Sequence, residues 1–328
     1  MSAVDTPRVL VTRTLPGSAP LERLRSAADV EVWPETLPPP ADELARRAAG
    51  CSGLLTMLTE RVDATLLEAA PDVRVVANMA VGFDNIDVAA ATERGVLVTN
   101  TPDVLTETTA DLAFALLLAS ARRLGEGAAA VRDGSWGPWH PTWLLGREVT
   151  GATLGIVGPG RIGRAVAERA AGFGMTVLYH GRREVPGFPG EAVSFGALLE
   201  RSDFVSIHAP LTEATTNLFD ADAFGRMRRG ATLINTSRGG LVDQVALADA
   251  LHRGHLAAAA LDVTTPEPLP TDDPLLDAPN LIVTPHVGSA TERTRERMAE
   301  LAVDGLLAGL AGERPRHLVN PEAWERRP

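Results

Sequence analysis

The sequence predicts an α/β protein made of two doubly wound, Rossmann-like parallel-sheet domains with an active-site cleft between them. Three observations carry this reading. Short apolar runs alternate with amphipathic helical stretches along nearly the whole chain. A glycine-rich turn, Gly158 to Gly163, stands between a strand pattern and a helix pattern. At 328 residues, the chain has the length of two ordinary domains.

Strand patterns in the first hundred residues fall at 8–13, 53–57, 73–81 and 95–100, with helical stretches such as 21–28 and 63–70 between them. Residues 34–44 hold four prolines and read as a loop leading into a helix. From Thr101 a long helical pattern begins, with Pro102 in its first turn. A Trp- and Gly-rich loop follows at 132–151. Six further strand patterns then appear at 153–158, 175–181, 203–210, 231–239, 257–263 and 280–286. A final helical pattern lies near 290–310. The expected layout is discontinuous. Residues 1–100 with 289–328 form a substrate-binding domain, and 101–288 form a dinucleotide-binding domain. The two long helices, near 101–123 and 290–310, are expected to cross between the domains, and the cleft is the expected ligand site.

Composition removes several function classes. A net charge of −11 argues against nucleic acid as a partner. It also means that an anionic substrate must be held by local donors. No lysine occurs, which excludes Schiff-base chemistry and a Walker-A phosphate loop. The single cysteine, Cys51, allows no internal disulfide and no Cys-based zinc site, and it suits a reducing, cytoplasmic compartment. The N-terminal residues lack a signal-peptide pattern. The apolar run from Leu112 to Ala121 is about half of what a bilayer requires, so it reads as a buried helix rather than a membrane anchor.

Gly158, Gly160 and Gly163 have G-x-G-x-x-G spacing after a strand pattern and at the start of a helix pattern. Gly158 would permit the turn, Gly160 would let a pyrophosphate approach, and Gly163 would let helix and strand pack closely. The amides of Arg161 and Ile162 would then face the pyrophosphate at the helix N-terminus. NAD enzymes usually place a carboxylate about 20 residues after the first glycine. Here that place reads His180, Gly181, Arg182, Arg183. Two guanidiniums suit a 2′-phosphate, so NADP(H) is the expected cofactor, with NAD(H) also possible.

Hydride transfer to a 2-keto acid needs a proton donor for the carbonyl oxygen, a group that tunes that donor, and a cation for the carboxylate. His286, Glu267 and Arg238 lie at or just past three strand ends of the second series and could fill these roles. His286 would be the general acid, Glu267 would orient its ring and raise its pKa, and Arg238 would bind the carboxylate and polarise the carbonyl. The chain has seven histidines, and His208 also ends a strand pattern, so strand position alone leaves His286 and His208 as competitors.

Several motifs, in order, resemble the D-isomer-specific 2-hydroxyacid dehydrogenase family, most closely its glyoxylate and hydroxypyruvate reductase branch. They are AVGFDNID, NTPDVLTETTADLAFALLL, GIVGPGRIG, NTSRGGLVD, LDVTTPEPLP and TPHVGSAT. The resemblance covers nearly the whole chain. It implies the Arg238–Glu267–His286 triad and leaves His208 as a cofactor-contact or core residue. It further implies that the Val81 and Gly82 amides hold the substrate carboxylate. Thr108, Pro210, Ser237, Asp262 and Gly288 are placed by it around the cofactor, although Asp262 also suits a strand-end cap. A homodimer paired through the cofactor domain is implied as well. Trp139, in the loop with Trp136 and Trp143, would either pack on a small substrate or be buried at that interface. The implied activity is NADPH-dependent reduction of a small 2-keto acid: glyoxylate to glycolate, or hydroxypyruvate to D-glycerate. Other D-2-hydroxyacid or phosphite dehydrogenases, and a dinucleotide-sensing corepressor-like binding protein, share the same motifs.

Overall fold

The computed structural model describes residues 6–326. The chain divides into two units, Met1–Leu105 with Ala290–Pro328, and Thr106–Ser289.

The first unit holds a five-stranded parallel sheet: β1 (Arg8–Val11), β2 (Asp29–Val32), β3 (Gly53–Thr56), β4 (Val75–Asn78) and β5 (Leu97–Thr99). Its order is β2-β1-β3-β4-β5, so the direction of winding reverses between β1 and β3. Strands β3, β4 and β5 are buried throughout, as expected of a parallel sheet covered on both faces. The β2 strand has no counterpart among the sequence-predicted elements. Its DVEV sequence carries two carboxylates, and as an edge strand it buries none of its residues fully. Such a strand lacks the apolar run that marks a central one. The helix Glu292–Leu310 packs on this sheet. Gly305 and Gly309 allow the approach, because a Cβ at either would lie 2.6 Å from Thr99 Oγ1 or 2.8 Å from a Val75 methyl.

The second unit holds β6 (Thr153–Val157), β7 (Thr176–His180), β8 (Glu191–Ala192), β9 (Phe204–Ile207), β10 (Thr232–Asn235), β11 (Ala258–Leu261) and β12 (Leu281–Val283). They form one parallel sheet in the order β12-β11-β10-β9-β6-β7-β8. Alternate residues feed two cores. Val205, Leu233 and Ala259 enter one, while Phe204, Ile234 and Ala260 enter the other. The two-residue β8 is exposed and too short for a periodic signal.

The long helix expected from Thr101 begins at Thr106 and runs to Ala121. Asp103 takes a left-handed conformation, φ 74°, which a helix interior does not allow. Thr101 instead donates its N–H to the Ala80 carbonyl, which keeps the segment extended. The Leu112–Ala121 run is a core helix, with Ala113, Phe114, Leu116, Leu117 and Ala121 buried. No helix among the described residues is long and apolar enough to cross a membrane.

Candidate active site

The winding of the larger sheet reverses between β6 and β9, and ligands of open α/β sheets bind beyond the strand ends at such a point. Gly158 follows β6 there at φ 97°. A Cβ on it would lie 2.5 Å from the Ala209 nitrogen, so only glycine lets the turn lie against the end of β9. At Gly163 a Cβ would lie 2.4 Å from the Gly158 carbonyl oxygen, which keeps the helix Arg161–Ala171 close to its strand. Gly160 differs from both: a Cβ there would meet no protein atom within 4 Å. Steric need within the protein therefore accounts for two of the glycines. The third faces open space beside a helix N-terminus whose first-turn N–H groups have no partner within the helix. A helix start of this kind fits a pyrophosphate, and Arg161 and Ile162 are its first two residues.

Beyond β7 a cavity of about 260 Å³ is lined by Tyr179, His180, Gly181, Arg183, Glu184 and Ser194, among others. Arg182 and Arg183 are both exposed. The next residue, Glu184, which had no place in the sequence-based expectation, lines the same cavity and opposes the positive charge of Arg183. Nearby, His208 accepts or donates a 2.8 Å hydrogen bond between its Nε2 and Ser206 Oγ. Burial pushes the His208 pKa down to about 4 although part of the residue reaches solvent, so its ring is neutral at physiological pH. Pro210 accepts from Thr215 Oγ1 at 2.8 Å, and Ser237 Oγ donates to the Ala209 carbonyl at 2.5 Å. The Thr236 hydroxyl, just past β10, is buried without a partner among the described residues. Thr108 is half-buried in the first turns of the helix Thr106–Ala121. These features fit a dinucleotide.

The three sequence-predicted catalytic side chains belong to one constellation. His286 Nδ1 lies 2.8 Å from Glu267 Oε2, and Glu267 Oε1 accepts the Thr264 N–H at 3.0 Å. Burial pushes the Glu267 carboxyl up. The hydrogen bond and charge of His286, the Thr264 N–H and the positive charge of Arg238 outweigh this and hold it below the ordinary carboxylate value. Glu267 is therefore ionised at neutral pH, and Arg238 is near enough to act on it. The turn bearing Arg238 is tied down by Asn235, whose amide donates to the Arg238 carbonyl at 2.9 Å and accepts from the Ser237 N–H at 3.0 Å. Close beside it, Gly239 approaches Thr264 so tightly that a Cβ would lie 2.1 Å from that residue's carbonyl.

His286 sits at φ 53°, an unusual conformation for a side chain of its size. Asp262 accounts for it. Its backbone carbonyl accepts from the His286 N–H at 2.9 Å. Oδ1 accepts from Thr284 Oγ1 at 2.6 Å and from the Val287 N–H at 2.8 Å, and Oδ2 accepts from the Gly288 N–H at 2.8 Å. Asp262 thus caps the segment on both sides of the histidine while keeping an acceptor position on Oδ2. Gly288 is buried and spends its N–H on this cap.

In the smaller sheet's unit, Val81 and Gly82 follow β4, and both are half-buried. Trp139, in the irregular segment after the helix Leu124–Asp133, is 86 % exposed. Sequence reasoning passed over Asn235 and Glu184. The first had a signal, an amide three residues before an arginine in a strand-end turn, where Asn commonly bonds local backbone. No cluster of three or more metal-ligating side chains occurs among the described residues.

Known proteins share this architecture along its full length. Residues 114–288 match the family described as D-isomer specific 2-hydroxyacid dehydrogenase, NAD binding domain. The glyoxylate reductase of Korarchaeum cryptofilum is 50 % identical over 327 residues, covering 98 % of both chains. A crystal structure of a Thermus thermophilus protein superposes with a TM-score of 0.91 at 53 % identity, covering 95 % of this chain and 99 % of that one. The NADPH-dependent glyoxylate/hydroxypyruvate reductase of Sinorhizobium meliloti, solved with NADP and malonate, superposes with a TM-score of 0.85 at 34 % identity, covering 97 % and 98 %. With its paired parallel-sheet units and glycine turn, the chain belongs to the D-isomer-specific 2-hydroxyacid dehydrogenase family, an oxidoreductase family, in its glyoxylate/hydroxypyruvate reductase branch.

Proposed function

We propose that this chain uses NADPH to reduce small 2-keto acids, glyoxylate to glycolate and hydroxypyruvate to D-glycerate. The observation that carries the reading is the 2.8 Å contact of His286 Nδ1 with an ionised Glu267 in the field of Arg238. An ionised carboxylate only accepts, so Nδ1 donates to it and Nε2 is left to protonate the substrate oxygen. Arg238 binds the substrate carboxylate and polarises the keto group, and the Val81 and Gly82 amides are also assigned to that carboxylate. When bound, the nicotinamide supplies the hydride. Glu267 stabilises the imidazolium that carries the proton to be donated, and Asp262 holds the ring's segment in place and would offer Oδ2 to a carboxamide N–H.

The pyrophosphate is assigned to Gly158, Gly160 and Gly163, with the Arg161 and Ile162 amides. Thr108, Pro210, Ser237 and Gly288 line the rest of the cofactor's course. Arg182 and Arg183 would hold a 2′-phosphate, and the S. meliloti relative, described as NADPH-dependent, supports the choice of NADPH. Cells keep NADPH reduced, so reduction is the working direction.

We also propose a homodimer formed through the larger unit. Trp136 is 64 % exposed, Trp139 86 % and Leu145 64 %, and aromatic side chains left open in one segment are a recurrent interface feature. Cys51 is buried and free, which fits a cytoplasmic location.

Initial rates with NADPH and NADH against glyoxylate, hydroxypyruvate, pyruvate and phosphite test the proposal. Glyoxylate and hydroxypyruvate with NADPH should give the highest kcat/KM. Preference for phosphite, or for NADH, would overturn the corresponding assignment.

A further inference from the structure

Past the end of β4, three successive peptide carbonyls are each taken by a donor from within the same unit. The Ala80 carbonyl accepts the Thr101 N–H at 2.9 Å. Asn100 Nδ2 donates to the Val81 carbonyl at 2.8 Å, and Asn78 Nδ2 donates to the Gly82 carbonyl at 2.9 Å. A trans peptide is planar, with its N–H opposite its C=O. Fixing the carbonyls of residues 80, 81 and 82 therefore fixes the N–H groups of Val81, Gly82 and Phe83 on the other side. Among the described residues, none of these three N–H groups donates a hydrogen bond to the protein.

The donors are themselves held. Asn78 is fully buried, and its Oδ1 accepts from Thr56 Oγ1 at 3.2 Å. Asn85 braces the arrangement, donating to the Met57 and Glu60 carbonyls at 3.0 and 2.8 Å and accepting from Asn78 Nδ2 at 3.3 Å. Fully satisfied buried polar networks of this kind make a local conformation rigid. Successive N–H groups whose directions are fixed and which have no acceptor in the protein can bind an anion, and their reorganisation cost is met on folding.

We propose that Asn78 and Asn100 are positioning residues. They act through the Val81 and Gly82 peptide planes to set the angle at which the chain grips a small carboxylate, and Phe83 supplies a third N–H to that grip. The inference rests on the functional reading above, in which these amides hold the substrate carboxylate. Without the two asparagine donors the peptides are free to rotate, and affinity for the anion falls while the hydride-transfer residues stay in place.

Asn100 is half-buried and suits the test. Asn100→Ala should raise the KM for glyoxylate and the Ki of oxalate, an unreactive anion, together by about tenfold, the worth of one lost hydrogen bond to an ordered group. The KM for NADPH should stay within about twofold, and Asn100→Ser, which keeps a donor, should recover part of the loss. Asn100→Asp replaces the donor with an acceptor facing a carbonyl and should be the weakest binder. Unchanged glyoxylate KM and oxalate Ki in a folded Asn100→Ala protein would sink the inference. So would a parallel rise in the NADPH KM, which would show a general loosening. If the alanine variant does not fold, the serine and aspartate variants decide: equal glyoxylate KM values in those two would also overturn it. A wild-type protein that reduces no 2-keto acid would refute the functional reading instead.

Discussion

Glu267 Oε2 and His286 Nδ1 are 2.8 Å apart, and the Glu267 carboxyl is held below its ordinary value. The pair commits Nδ1 to the carboxylate and leaves Nε2 outside it. His286→Gln preserves a polar group of similar reach but cannot move a proton, so kcat should fall by roughly 10²–10⁴-fold. The melting temperature should change little, because the half-exposed ring leaves no buried cavity. Steady-state rates with a thermal melt check both; near-normal turnover would remove His286 from its role.

The lowered Glu267 pKa has a definite sign. A depressed carboxyl contributes stability above its unfolded value and loses it as pH falls through the lower folded value. The same protonation breaks the partnership with His286, so the acid limb of kcat should include a step below the ordinary carboxylate range. Glu267→Gln should abolish that step and lower kcat at neutral pH. A variant whose acid limb matches the wild type would show that another group sets it.

His208 gives a separate window. Burial lowers its pKa from 6.5 to about 4, so the unfolded chain binds a proton that the folded chain refuses between those values. Stability is therefore full above 6.5 and declines toward pH 4, with a slope of at most about 1.4 kcal/mol per pH unit from this group. Denaturant titrations of wild type and His208→Asn at several pH values should show a shallower decline in the variant. Equal slopes would mean that the ring is solvated more freely than its surroundings indicate.

Two glycines of the turn should separate folding from cofactor binding. At Gly163 an added methyl would meet the Gly158 carbonyl oxygen at 2.4 Å, so Gly163→Ala should cost about 1–3 kcal/mol of stability. At Gly160 the methyl meets nothing, so Gly160→Ala should melt like the wild type and yet bind NADPH less tightly. Loss of stability at Gly160 without loss of binding would reverse the assignment.

Arg183 and Glu184 share a cavity with opposite charges. Arg182→Ala with Arg183→Ala should raise the KM for NADPH by at least about tenfold and leave that for NADH nearly unchanged, since each charge-assisted bond is worth roughly 1.5–3 kcal/mol when well formed. Glu184→Gln should move selectivity further toward NADPH. Equal effects on both cofactors would show that the arginines do not read the phosphate.

Central strands and the glycine turn were legible in the sequence because both write a local pattern. Burial on two faces leaves β3, β4, β9 and β10 wholly buried and mostly apolar, and β6 is buried in all but its first residue. Edge strands β2 and β8 bury little and left no such pattern. The start of the helix at Thr106 was obscured because Thr101 and Pro102 are compatible with a first turn, and only the tertiary bond from Thr101 to Ala80 excludes it. Of the candidate site, strand-end position offered Arg238 and Glu267 and the family resemblance added Asp262, but strand position could not separate His286 from His208. The separation is environmental: His286 meets a carboxylate, whereas His208 meets a serine hydroxyl in a buried setting. Glu184 escaped notice although it directly follows Arg183, because a carboxylate was expected only at residues 180–183.

The close approach of Gly239 to Thr264 has an engineering consequence. The turn that carries the guanidinium has no slack against the loop that carries the carboxylate, so a shift in one drags the other. Moving Arg238 to suit a bulkier or differently charged acid would therefore also shift the Glu267–His286 pair. Variation is better tolerated on surfaces that do not share this seam, which is where a redesign should begin.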